Sequence, residues 1–191
     1  MSIHPPDPAP STRPPARRAT RRRSVAALAA ALALAAVPAA AGSTTAEAAG
    51  CAVTWGSLAK TSPTLLPGRI TAVRAGQHPC YDRLVVDVTG RAPGYSVRYV
   101  STVYSEGQGA PVPVAGGARL AVVVKRGATT RPAMPSVTGF RTVRQVRWAG
   151  SFEGYTTLAL GVRARLPFRV FTLYDAATDR SRLVIDVAHT W

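Results

Sequence analysis

The sequence predicts an all-β fold: a β-sandwich of short antiparallel strands with two pseudo-repeated halves, preceded by a signal peptide. Three observations carry this. Aliphatic residues alternate with period two in run after run, turn-forming clusters separate those runs, and the order of the runs recurs about 70 residues further on. From residue 51 onward no segment of about ten residues keeps a helical period.

The leader comes first. Six arginines, Arg13, Arg17, Arg18, Arg21, Arg22 and Arg23, precede the apolar run "SVAALAAALALAAVPAA". A positive segment followed by an apolar stretch of about 13 residues is the pattern of an export signal, and the stretch is too short to span a membrane. Small-x-small cleavage options end at Ala41 and at Ala48. "TRRRSV" partly resembles a twin-arginine signal, but the apolar residue expected soon after the pair is displaced, which favours general secretion. The reading is therefore a leader over residues 1–50, one domain over 51–191, and no transmembrane span in the mature chain.

Two cysteines, Cys51 and Cys80, both follow the leader. An even count in an exported chain favours a disulfide, closing a loop of about 29 residues. "AAGC", ending at Cys51, partly resembles a lipobox and keeps open a lipid anchor, although Ala stands where Leu is usual.

Charge narrows the function classes. The formal net charge is +15; without the leader, 18 Lys and Arg face 7 Asp and Glu, or +11. Sixteen of those 18 cations are Arg, whose planar fork suits carboxylates and phosphates. An exported basic surface suits anionic envelope polymers or is simply a solvated cationic face. Nucleic acid is not an expected partner, because no helix gathers basic residues on one face.

The strands follow in order: "ITAVRA", "RLVVDV", "YSVRYV", "RLAVVV", "TVRQVRW", "TLALGV", "RVFTLY" and "LVID". In "RLVVDV", Leu84, Val86 and Val88 share a face opposite Val85 and Asp87. In "TLALGV", Leu158, Leu160 and Val162 share one, and in the last strand Leu183, Ile185 and Val187 do. "GRAPG", "SEGQG", "AGG", "RPAMP" and "WAGSFEG" supply turns.

"RLVVDV" (83–88) and "RLVIDV" (182–187) look like copies, yet the longer repeat pairs them differently. Setting Tyr81 on Tyr155 brings Leu84 onto Leu158, Val86 onto Leu160, Val88 onto Val162, Arg91 onto Arg165 and Pro93 onto Pro167. "TAVR" (71–74) then sits against "RTVR" (141–144), "GYSVRYV" against "PFRVFTL", and "ARLAVVV" against "SRLVIDV". Each unit holds a Val-Arg strand, a Tyr-led strand, an aromatic strand and an Arg-Leu strand. The near-identity of the two hexapeptides is mostly the shared grammar of a half-buried strand.

The stretch "ITAVRAGQHPCYDRLVVDVTGRAPGYSVRYV", with the closing "RLVIDV", resembles the AMIN-like domains of exported actinobacterial proteins. The resemblance covers about residues 52–190 and rests on the order and spacing of short aliphatic motifs. It implies a two-sheet sandwich at the cell envelope that binds peptidoglycan.

Catalytic constellations are sparse in the sequence. The histidines are His4, His78 and His189, without the spaced partners a metal site requires. "GSFEG" has Phe152 where a nucleophile elbow needs Ser. Cys80 with His78 is weaker as a nucleophile pair than Cys80 is as a disulfide partner. Asp87 and Asp186 could serve as an acid pair only on neighbouring strands, and carboxylates meeting cross-strand arginines are commoner. Asp82 is expected at a surface or turn contact.

The reading is a non-enzymatic, cofactor-free envelope module, secreted to the extracellular side, binding peptidoglycan or another anionic wall polymer. Its candidate ligand residues are Arg74, Arg83, Tyr95 and Arg98, with Tyr99 interleaved, although the two tyrosines also read as core aromatics. A protein-protein accessory module, docking on a secreted envelope enzyme or complex, is the alternative.

Overall fold

A computed structural model describes residues 50–191; the leader expected over residues 1–50 falls almost wholly outside the described residues. All eight strands read from the alternation are present, with one shorter strand before them and two between. In chain order they are β1 (Lys60–Ser62), β2 (Ile70–Gln77), β3 (Tyr81–Thr89), β4 (Tyr95–Val100), β5 (Val103–Tyr104), β6 (Pro111–Val112), β7 (Ala118–Val124), β8 (Val143–Phe152), β9 (Tyr155–Val162), β10 (Phe168–Asp175) and β11 (Arg180–Ala188). The sandwich consists of a five-stranded sheet, β1-β4-β7-β9-β8, and a four-stranded sheet, β10-β11-β3-β2, with antiparallel pairing throughout both.

The alternation explains the core. Leu84, Val86 and Val88 of β3 meet Leu158, Leu160 and Val162 of β9, with Leu120, Val122 and Val124 of β7 and Leu183, Ile185 and Val187 of β11 beside them. Each of these twelve side chains is 0–1 % exposed, so every second residue of the four central strands lies in one apolar layer. Truncating one of these leucines to Ala would cost about 2–5 kcal/mol.

The repeat survives, with a correction and an exchange. The halves are β2-β3-β4-β7 and β8-β9-β10-β11, yet neither forms a sheet by itself. Each sheet joins the aromatic and Arg-Leu strands of one half to the Val-Arg and Tyr-led strands of the other. The registers agree: Leu84 opposes Ile185 where its counterpart Leu158 opposes Val122, and Tyr95 opposes Val124 where Phe168 opposes Val187. The correction concerns β8, because "TVRQVRW" holds two Val-Arg pairs. Val73 opposes Val86 and Val146 opposes the equivalent Leu160, so Val73-Arg74 corresponds to Val146-Arg147, not to Val143-Arg144. β2 and β8 also share a bulge at equivalent places, Ile70/Ala72 and Val143/Gln145.

The exchange gives "RLVVDV" and "RLVIDV" a role that the sequence comparison missed. They are neighbours, antiparallel, in the middle of the four-stranded sheet. An R-x-x-x-D segment laid antiparallel on a second one sets each Arg opposite the other's Asp: Arg83 on Asp186, and Asp87 on Arg182.

The halves differ in one connection. Residues 176–179 join β10 to β11, whereas residues 101–117 join β4 to β7 and form the β5–β6 ribbon. That ribbon lies on the outer face of the five-stranded sheet, where Val103 and Val114 cover Ala121, Ala149 and Ala159. Fit here is tight, since a Cβ on Gly161 would stand 1.9 Å from the Ala115 carbonyl oxygen. At the β8–β9 hairpin, Glu153 (φ 46°) and Gly154 (φ 80°) provide the two positive φ values of a type I′ turn.

Cys51 and Cys80 form the expected disulfide, so the Cys51 sulfur is not the free thiol that acylation would need. The linked segment then runs past both sheets: the Gly56 carbonyl accepts from the Phe168 N–H of β10, and residues 60–62 add β1 to β4.

Candidate functional site: paired guanidinium groups on an open sheet face

Alternation sends Arg83, Val85 and Asp87 of β3 to the outer face of the four-stranded sheet. Register sets beside them Arg182, Val184 and Asp186 of β11, Arg169, Phe171 and Leu173 of β10, and Arg74 of β2. No strand lies over this face among the described residues.

One cross-strand row carries the chemistry. Asp186 has Arg83 on one side and Arg169 on the other. Arg83 donates from Nε to Oδ1 at 2.6 Å and from Nη2 to Oδ2 at 2.9 Å, and Arg169 donates from Nε to Oδ2 at 2.8 Å. The carboxylate is wholly buried beneath side chains that remain 24 % and 40 % exposed. A carboxylate so desolvated is tolerable only when its oxygens are satisfied, and here two cations share the task. Its hydrogen bond, more than its charge, raises the Arg83 pKa against the opposing effect of burial. Two cations on one anion leave a net positive centre.

Aromatic rings wall that centre. The Arg169 guanidinium lies 4.4 Å from the Trp55 ring centroid, 5.3 Å from Phe171 and 5.4 Å from Tyr81; that of Arg83 lies 5.2 Å from Tyr81 and 5.6 Å from Phe171. Trp55 meets Tyr81 edge-on at 5.7 Å, and His78 stacks on Tyr81 at 4.5 Å. Trp55 lies four residues after Cys51 and Tyr81 directly follows Cys80, so the disulfide gathers this wall. Among the described residues Arg169 uses only its Nε in protein hydrogen bonds, which leaves its terminal nitrogens for an incoming anion. Guanidinium donors beside ring faces suit a carboxylate or phosphate carried on a sugar.

The residues singled out from the sequence fall in three places. Arg83 is at the centre. Arg74 shares the sheet face but forks onto Asp87, with Nε to Oδ2 at 2.6 Å and Nη2 to Oδ1 at 2.7 Å, which raises its pKa. Arg98 is exposed on the outer side of the other sheet, opposite Ala121. Tyr95 and Tyr99 turn inward and pack on the core, where burial raises both phenol pKa values. The Tyr99 hydroxyl donates to the Leu166 carbonyl and accepts from its N–H, each at 2.9 Å.

Asp87 and Asp186 do lie on neighbouring strands, each already engaged by arginine. The Cys80 sulfur is bonded to Cys51. Asp82 is not at the surface: it is 0 % exposed, because β3 turns it to the same side as Leu84. Its Oδ2 accepts from the Thr142 and Val143 N–H groups at 2.6 and 2.9 Å, and its Oδ1 meets His189 Nε2 at 3.0 Å. This pins the start of β8 and the end of β11 to β3. No group of three or more metal-ligating side chains converges, and no helix is long and apolar enough to cross a membrane, among the described residues.

Reading from sequence missed Trp55, Tyr81, Arg169 and Phe171. Alternation in "FRVFTLY" puts Arg169 and Phe171 on one face and could have flagged them; nothing local to Trp55 signals its place.

Residues 68–189 match the AMIN-like domain family, and the chain belongs to it. That family is of a binding type, and membership marks the chain as a cell-envelope-associated module. No curated protein matches the chain, and no solved structure does.

Proposed function

We propose that the protein binds peptidoglycan or another anionic wall polymer through the open face of the four-stranded sheet. The observation that carries this reading is the Arg169-Asp186-Arg83 row, a net positive centre walled by Trp55, Tyr81 and Phe171. Asp186 holds both guanidinium groups in place, Arg169 offers its terminal nitrogens to a carboxylate or phosphate, and the rings offer faces to neighbouring sugars. In this reading Arg83 is a ligand residue; Arg74 lies one strand away, and Tyr95 and Arg98 fall outside this face. The excess of arginine adds a long-range attraction that salt screens.

Co-sedimentation of the protein with insoluble cell wall tests this. The chain should pellet at low salt and return to solution at moderate salt, and Arg169→Ala should lower the pelleted fraction. A chain that stays in solution at every salt concentration contradicts the proposal.

A further inference from the structure

A strand at the edge of a sheet exposes unpaired N–H and C=O groups, and folded chains blunt such edges by shortness, bulges, charge or a cover. The sandwich has four edges: β1 and β8 on one sheet, β10 and β2 on the other. β1 has only three residues. β2 carries a bulge and the exposed Arg74. β8 carries two irregularities and the exposed Arg144 and Arg147, and its Ala149 carbonyl accepts from the Glu106 N–H of the ribbon.

β10 is neither short nor bulged, and its two charged residues, Arg169 and Asp175, stand near its ends, so Val170–Tyr174 has neither charge nor a covering strand among the described residues. The strand runs for eight residues in unbroken register with β11 and exposes Leu173 (46 %) and Tyr174 (42 %). The repeat sharpens the contrast. Its counterpart β4 is covered by β1 over Tyr95–Val97, whereas of the equivalent residues Phe168–Val170 only Phe168 donates across the edge, to Gly56. Backbone groups alternate in direction along a strand, so the outward-facing pairs after Phe168 belong to Val170, Thr172 and Tyr174. Among the described residues none of these three has a backbone partner on that side.

We propose that β10 is a dimerisation edge, at which a second copy of this chain adds its own β10 antiparallel, Thr172 facing Thr172. The strand is complementary to itself in that register. Val170 and Tyr174 exchange backbone bonds with Tyr174 and Val170 of the second copy. On the outer face, Arg169 comes opposite Asp175 and Phe171 opposite Leu173, and the two-fold axis repeats both pairs. A shift centred on Phe171 would demand the Phe168 N–H already given to Gly56. A shift centred on Leu173 would set Asp175 against Phe171. The dimer is a continuous eight-stranded sheet on which the two open faces lie side by side.

The test uses the full chain expressed in a secreting host and purified as that host leaves it. Sedimentation equilibrium should give the mass of a dimer with rising concentration. Leu173→Lys, a change at an exposed side chain that leaves the fold intact, should weaken association at least about tenfold. Thr172→Cys should link copy to copy under mild oxidation while Tyr174→Cys, facing Val170, does not. A monomer mass over the whole concentration range overturns the proposal, as does a dimer that Leu173→Lys leaves unchanged and Thr172→Cys fails to link.

Discussion

The outer faces of the two sheets occupy equivalent positions of the repeat and differ in what covers them. Where the four-stranded sheet has Arg83, Val85 and Asp87 on β3, the five-stranded sheet has Thr157, Ala159 and Gly161 on β9. Where it has Val184 and Asp186 on β11, the other has Ala121 and Val123 on β7; where it has Phe171 on β10, the other has Arg98 on β4. Small residues on one face let the β5–β6 ribbon settle onto it and seal a second apolar cluster. Long charged and aromatic residues on the other leave no room for a roof and build their own layer, in which guanidinium groups cover a carboxylate and rings cover guanidinium groups. A short β10–β11 turn completes the difference, because residues 176–179 are too few to form a ribbon. Equivalent positions of the repeat thus give one face that is roofed by apolar packing and one that is left with paired charges and rings.

That contrast can be broken at several points. The largest effect should come from the disulfide. Replacing Cys51 and Cys80 by Ser reopens a 29-residue separation, and chain entropy alone puts the loss at about 3–4 kcal/mol. Urea unfolding should show it, and Trp55 should become more accessible to a quencher as the wall of the open face loosens. Next is Asp186→Ala, which leaves two half-buried guanidinium groups facing each other and should cost about 3 kcal/mol by urea unfolding. Asp87→Ala, at the more exposed pair with Arg74, should cost less than about 1 kcal/mol.

On the roofed face, Gly161→Ala drives a Cβ against the Ala115 carbonyl and should cost about 1–3 kcal/mol. Proteolysis at the ribbon tip, residues 105–110, should quicken while wall binding stays unchanged. The smallest stability effects should come from the arginines themselves: Arg98→Ala should fall within about 0.5 kcal/mol of the parent in thermal unfolding.

Much of the fold was legible because a half-buried strand writes itself in period two, and eight strands did so. β1, β5 and β6 were not, since two or three residues are too short to show a period. The repeat was visible, but "TVRQVRW" offered two Val-Arg pairs and only the register with β9 chose Val146-Arg147. The site was less legible. Arg83 could be named as a candidate, but its partners belong to strands about 90 and 100 residues away, and their adjacency follows from an exchange between halves that no local pattern announces. Burial of Asp186 on an outward face is invisible for the same reason, because the side chains that cover it come from β3 and β10. Asp82 shows the converse: its parity with Leu84 pointed inward from the start, and the polar type of the residue concealed it.

The most direct measurement is a pair of binding isotherms to insoluble cell wall at fixed low salt, one for Arg169→Ala and one for Arg98→Ala. Each variant removes one positive charge, the first from the open face and the second from the outer side of the five-stranded sheet. If the open face is the binding face, Arg169→Ala should weaken binding by about tenfold, or ~1.4 kcal/mol, and Arg98→Ala by less than about twofold. Equal losses would mean that net charge alone drives association, and the assignment of binding to one face would be wrong.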